Sequence, residues 1–163
     1  MLSAVSDDCD VAATITIIHS TIVNNSTPMT GVGGGFDMCT STVTFQNSIL
    51  AGNDNGSGPS NFVGDTVSQG YNLESGTDAG FTATGDLQNS DPNLLPLADN
   101  GGATWTHALS SGSLAVDHIP NGINGCGTTY IADQRDKPRP AGNGCDIGSY
   151  EKQFSIYLPV ILK

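Results

Sequence analysis

The sequence predicts an all-β chain folded as a parallel β-helix, a stack of short strands wound into a solenoid. Three observations predict it: a composition poor in helix formers, β-branched residues in short alternating runs, and a segment that recurs at a fixed offset. Charged residues are only 13% of the 163 residues and Gly counts 21. Surface helices draw on Leu, Glu, Lys and Arg, which are scarce, whereas the abundant Ser, Asn, Asp and Gly favour turns. The hydrophobic fraction of 37% borders on that of disordered chains, but its clustering into β-branched runs points to strands. The length fits one domain with a real core.

The recurring segment is Thr14 through Asn25, which aligns with Thr42 through Asn53 at an offset of 28 residues. Each copy opens with an alternating strand (Thr14, Ile15, Thr16, Ile17), bends at a Ser, and continues into a second short apolar strand ending at Asn. Between the copies, Gly31 to Cys39 reads as a tight turn and a third short strand. Several short strands per repeat, at this period, is the plan of a β-solenoid. Stacking then places Ile15 over Val43, Ile17 over Phe45 and Ile22 over Leu50. Asn25 and Asn53 are expected at corners, because Asn tolerates a left-handed backbone and stacked amides can form a ladder. His19 takes the place of Asn47 in the next copy and reads as a corner side chain.

Beyond Asn53 the signals weaken. Asp54 to Asn61 is a loop by composition. Phe62-Val63 and Ser68 to Leu73 supply shorter strands. Asp86 to Gly102, rich in Pro, Asn and Asp, reads as irregular. Ala103 to Leu109 alternates once more, and the chain from Pro120 is loop-rich. The expected organisation is strand coils over 1–118, a C-terminal cap over 119–151 and an apolar tail over 152–163, either an added strand or the stub of an anchor.

Charge excludes several functions. The formal net charge is -11, and the five basic residues are Arg135, Lys137, Arg139, Lys152 and Lys163. Nucleic-acid binding needs cations against phosphates, and anionic membrane surfaces need them too, so neither is an expected partner. No stretch reaches the roughly 20 apolar residues of a membrane span. Residues 1–10 lack the basic and apolar regions of a signal peptide, and the chain is expected to continue a longer exported protein.

Four cysteines, Cys9, Cys39, Cys126 and Cys145, show no CxxC pair and no His at metal-ligand spacing, which argues against zinc. An even count in such an acidic chain fits disulfides and an oxidising compartment. Cys126 with Cys145 is the preferred pair, worth roughly 3 kcal/mol for a loop of about 20 residues. Cys9 with Cys39 would be the second.

These residues resemble a known family. The pattern Thr-x-Thr-x-x-x-Ser, followed by Ile or Leu and a closing Asn, with the Gly33-Gly34-Gly35 turn, is similar to the polymorphic-outer-membrane-protein type of right-handed parallel β-helix. From Ser68 to Glu151 the chain resembles the C-terminal module of bacterial choice-of-anchor Q surface proteins. The matching pieces include Ser68 to Leu73, Pro96 to Gly102, Thr106 to Leu109, Gly112 to Asp117, Asp133-Gln134-Arg135, Arg139-Pro140 and Cys145 to Glu151. The resemblance implies a right-handed helix that ends in this module and a secreted or cell-surface location; with the Cys126–Cys145 pair read above, the expected ending is a loop-rich, disulfide-stapled C-terminal cap. It carries over no catalytic residues.

The chemistry read from the residues points the same way. Lyases acting on uronates use a basic residue and a cation, and residues 1–134 offer no Lys or Arg. Asp37, Asp54 and Asp65 could act as paired carboxylates, but they lie in turns, where Asp is expected for structural reasons. Ca²⁺ is the one candidate ion, with Asp54, Asn55 and Asp37 as candidate ligands, since Ca²⁺ takes several oxygen ligands. Trp105 and Tyr71 are candidate sugar platforms. Arg135 and Arg139, among Asp133, Asp136 and Asp146, read as a cluster pinning the cap. The sequence therefore predicts a non-catalytic extracellular or cell-surface protein in adhesion or cell-envelope structure, with polysaccharide or envelope components as partners. The alternatives are a carbohydrate-active enzyme, lyase- or glycosidase-like, and a carbohydrate- or Ca²⁺-binding module.

Overall fold

The computed structural model describes residues 13–28 and 32–154, with the backbone alone for Cys39 and Thr40. The chain is all-β. Its strands are β1 (Thr14–Ile18), β2 (Thr21–Val23), β3 (Phe36–Gln46), β4 (Ile49–Ala51), β5 (Phe62–Ser68), β6 (Leu73–Glu74), β7 (Leu94–Ala98), β8 (Thr106–Leu109), β9 (Ile119–Pro120) and β10 (Gly144–Cys145). Among the described residues one 3-10 turn, Ile123–Gly125, interrupts them. No helix among the described residues is long and apolar enough to cross a membrane.

Two parallel sheets, β1-β3-β5 and β2-β4-β6, form the first half of the molecule. Their register follows the 28-residue offset: Ile15 lies beside Val43, Ile17 beside Phe45 and Ile22 beside Leu50. Alternation then sorts the side chains. Phe45 and Leu50 point between the sheets into one core with Val43, Phe62, Ala79 and Phe81. Its rings meet edge-on, Phe45 against Phe81 at 5.2 Å and against Phe62 at 5.9 Å, the arrangement favoured by the ring quadrupole.

The neighbours of Leu50, Ile49 and Ala51, point the other way. They join Leu73 with Leu109, Ala115, Ile119, Ile147 and the disulfide pair Cys126–Cys145 in a second core. The sheet β2-β4-β6 is thus covered on both faces, which is why its short apolar runs show no polar alternation.

The expected closed right-handed β-helix is not what forms. The pairing offset is 28 between Thr14 and Thr42, falls to 24 between Ile49 and Leu73, and is 14 where Leu73 bridges Leu87. The offset thus shortens from step to step instead of repeating. The expected separate third strand is absorbed into the 11-residue β3, whose pairing with β5 shifts register between Asp37 and Thr42. Beyond β6 the pairing becomes antiparallel, β7 with β8 and β9 with β10. The result is a set of small sheets rather than a wound solenoid. The disulfide between Cys126 and Cys145 is present; a Cys9–Cys39 bond lies outside the described residues, as do the N-terminal segment before Ala13 and the tail beyond Phe154.

Two columns of side chains tie the bends together. In one, Ser48 Oγ accepts from the Ser20 amide at 3.1 Å, Asn72 Oδ1 from the Ser48 amide at 2.9 Å, and Asp86 Oδ1 from the Asn72 amide at 2.8 Å. In the other, Asn25 donates to Asn53 Oδ1 at 3.0 Å, and Asn53 Nδ2 donates to Asn61 Oδ1 at 3.1 Å. The left-handed residues are not Asn25 and Asn53 themselves but His19, Asn24, Asn47, Gly52 and Tyr71. Backbone reversal and the amide ladder are therefore held by adjacent residues. Asn53 is 1% exposed and also donates to the Ile22 carbonyl at 3.0 Å. Asn53→Ala removes the side-chain donor to the Ile22 carbonyl and the acceptor of the Asn25 amides, and is expected to lower unfolding free energy by about 1–3 kcal/mol, read from urea denaturation.

Candidate functional site

Trp105, the lone Trp of the chain, stands immediately before β8 in the antiparallel ribbon β7-β8. Pairing sets Leu97 opposite His107 and Ala98 opposite Thr106. Thr106 and Ala108 point inward, at 3% and 6% exposure, so strand alternation turns Trp105 and His107 outward. Leu95 and Leu97 share that outer face, and Trp105 is 64% exposed. The His107 ring is fixed by Nδ1 against the Leu95 carbonyl at 2.8 Å.

Beside Trp105 lies a cavity of about 130 Å³ whose lining adds Thr21, Gln134 and Ser149. These polar groups come from three distant segments. Thr21 Oγ accepts from the Ser149 amide at 3.0 Å, the Ser149 carbonyl accepts from the Gln134 amide at 3.0 Å, and Gln134 Nε2 donates to Thr104 Oγ at 2.7 Å. An aromatic face with hydroxyl, amide and imidazole groups at its margin suits a ligand that is apolar on its faces and polar at its edge.

Tyr71 does not share this place. It packs against the second core with its ring edge toward His118 at 6.1 Å. Its backbone is left-handed, with φ 56°, and Gly85 lies so close that a Cβ there would come within 2.5 Å of the ring. Tyr71 fills a gap in the packing, and Trp105 alone presents an open face.

The candidate calcium ligands are held in separate local roles. Asp54 Oδ1 accepts from the Gly56 amide at 2.6 Å, and Asn55 Oδ1 from the Ser57 amide at 3.1 Å. Each closes a turn on its own backbone. Asn55 Nδ2 donates to the Val32 carbonyl at 3.0 Å, and Asp37 sits exposed on β3 beside Val63. Among the described residues no group of three or more His, Cys, Asp or Glu is placed to hold a metal ion.

The strongest electrostatics belong to a buried cluster. Arg139, 3% exposed, donates to the carbonyls of Asp146 at 2.9 Å and Gly148 at 3.0 Å, and to His19 Nδ1 at 2.5 Å. Its Nε lies 3.5 Å from Glu151 Oε2. Burial, with Arg139 beside it, pushes His19 down to about 3. Burial, helped by the neighbouring Asp146 carboxylate, pushes Glu151 up to about 7. Arg135 makes a two-point pair with Asp133 through Nε at 2.9 Å and Nη2 at 2.6 Å and lies over the Tyr150 ring at 3.6 Å. Burial works against the Asp133 carboxylate, but hydrogen bonds from Glu151, Arg135 and Lys137 outweigh it and hold its pKa below the usual range.

The sequence anticipated Arg135, Arg139, Asp133 and Asp146 as one cluster. It missed Glu151 and His19, and Asp136 makes no ion pair among the described residues. Nothing short-range in the chain links His19 to Arg139, 120 residues away. No family model, curated protein or solved structure matches the chain.

Proposed function

We propose that this chain is a non-catalytic, extracellular carbohydrate-binding module that attaches to a polysaccharide or cell-envelope surface. The observation that carries this reading is Trp105, 64% exposed on a fixed ribbon and bordered by Gln134, Thr21, Ser149 and His107. Leu95 and Leu97 are exposed on the same ribbon as Trp105, and a contiguous exposed apolar patch rimmed by polar groups, unlike a lone exposed side chain, marks a contact face. The faces of sugar rings stack on aromatic planes, while their hydroxyls exchange hydrogen bonds with amides and hydroxyls.

The non-catalytic part is supported by where the displaced pKa values lie. Glu151 and His19 are tied to Arg139 inside the packing, with Glu151 and Arg139 out of reach of a substrate, and buried ion-pair networks displace pKa values as catalytic sites do. The Cys126–Cys145 disulfide supports an oxidising compartment, and the resemblance of Ser68 to Glu151 to bacterial surface proteins supports the same location.

The test is incubation with immobilised neutral and acidic polysaccharides, with and without Ca²⁺, scoring both retention and new chain ends. Retention without new ends is expected. Trp105→Ala is expected to weaken it about tenfold, the loss of roughly 1.4 kcal/mol at a contact hot spot. New chain ends, or retention indifferent to Trp105, would refute the proposal.

A further inference from the structure

β2 contributes to two cavities in succession. Thr21 lines the one beside Trp105, and Val23 lines a second of about 470 Å³. β7 contributes to the same two in the opposite order, Leu97 to the first and Leu94 to the second. Two strand residues advance about 7 Å and three about 10 Å. The two cavities therefore lie at successive positions along β2 and β7, with Trp105 at the outer side of the first.

The second cavity has a different chemistry. Its floor is apolar, with Val23, Ala51 and Leu94, and its wall carries Asn24, Asn89 and Asp91. Asn24 and Asn89 are both exposed and both left-handed, with φ 56° and 48°. Gly52 brings the backbone of β4's end against Asn24, since a Cβ there would lie 2.6 Å from Asn24 Oδ1. Asp91 uses one carboxylate oxygen on the Asn93 amide at 2.8 Å. The two cavities thus offer an aromatic platform and then a row of amide and carboxylate groups over an apolar floor.

Their charge narrows the ligand. Asp91 is the one ionised side chain lining either cavity, and neither cavity is lined by Lys or Arg. Arg135 and Arg139 are buried in their own pairs. A uronate or sulfated chain would lie along a carboxylate with no cation to meet it, on a protein of net charge -11, and like charges repel it on approach.

We propose that the two cavities form one trough that binds a linear, neutral polysaccharide over several consecutive rings, one stacked on Trp105 and later ones hydrogen-bonded to Asn24, Asn89 and Asp91. This rests on the carbohydrate-binding reading and adds the geometry and charge of the ligand. Contacts at successive rings add, so affinity rises with chain length until the trough is filled.

The test is calorimetric titration of the full chain with cello- and xylo-oligosaccharides from one to six rings, and with oligogalacturonates of matching length. The expected result is affinity at least about tenfold higher for the tetrasaccharide than for the monosaccharide, with weaker binding of the acidic series. The double variant Asn24→Gly with Asn89→Gly keeps both left-handed backbones while removing the amides. It is expected to abolish the gain with length, whereas Trp105→Ala weakens every length. Binding with no length dependence, or an unaltered length dependence in the Asn variant, would overturn the trough and leave the Trp105 site standing. A preference for oligogalacturonates would overturn the neutral assignment. Failure of every saccharide, together with no retention on any polysaccharide, would overturn the carbohydrate reading itself.

Discussion

Arg139→Ala is expected to cost about 3–5 kcal/mol of stability, the range for removing one partner of a buried pair. Arg139 is where the C-terminal third meets the first strand pair. It reaches His19 in the bend between β1 and β2, the carbonyls of Asp146 and Gly148 behind β10, and the Glu151 carboxylate. Alanine leaves the buried Asp146 and Gly148 carbonyls without the guanidinium donor and takes away the cation 3.5 Å from Glu151, whose carboxyl keeps only the Ala141 and Asp146 amides, and nothing of comparable length can replace it. Arg139→Lys is expected to recover less than half of the loss, since one ammonium cannot meet acceptors spread across a planar fork. Urea midpoints of the two variants check this. A loss below about 1 kcal/mol for alanine would mean that the cluster is an incidental surface pairing.

The parallel half of the molecule was legible because two signals coincided in the chain. Thr14 to Asn25 and Thr42 to Asn53 share both an alternating pattern and an offset, and alternation has a period of two, so a slip of one residue would expose Phe45 and Leu50 to water. The register Ile17 beside Phe45 follows. Closure into a solenoid was not legible, because it depends on turn lengths that shrink from 28 to 14 residues while the local patterns stay strand-like.

The segment Asp86 to Gly102 was read as irregular on its prolines, yet Leu94–Ala98 is a strand with Pro96 inside it. Pro is tolerated there because β7 is an edge strand and its pairing with β8 is broken between Leu94 and Leu97, where no ladder amide is required. Trp105 stood out in the sequence as the lone Trp. Its exposure did not, since it follows from which face of β8 Thr106 and Ala108 bury. Asp54 and Asn55 carry the oxygen-rich composition of an ion site and the composition of an Asx turn equally well, and only the geometry shows the turns.

The pH dependence of stability is expected to be a balance of two opposed groups, and variants should separate them. His19 has its folded pKa lowered from 6.5 to about 3. The unfolded chain then binds the proton first as pH falls, so stability is complete above about 6.5 and declines toward pH 3. The difference corresponds to roughly 4–5 kcal/mol at most. Glu151 has its folded pKa raised from 4.5 to about 7. Here the folded state holds the proton longer, so its contribution is complete below about 4.5 and is lost as pH rises to 7, by roughly 3 kcal/mol. Between pH 4.5 and 6.5 the two slopes oppose and nearly cancel. His19→Asn places at the first bend the residue found at the second, where Asn47 has φ 54°, and removes the rising limb. Its stability is expected to fall as pH increases from 4.5 to 7. Glu151→Gln removes the falling limb, and its stability is expected to climb from pH 3 to 6.5. Urea unfolding across this range measures both. Curves for the two variants that run parallel to each other would show that His19 and Glu151 do not carry the balance. Opposite slopes would show that burial keeps both a neutral imidazole and a protonated carboxyl beside Arg139 near pH 6, with the arginine helping the first and opposing the second.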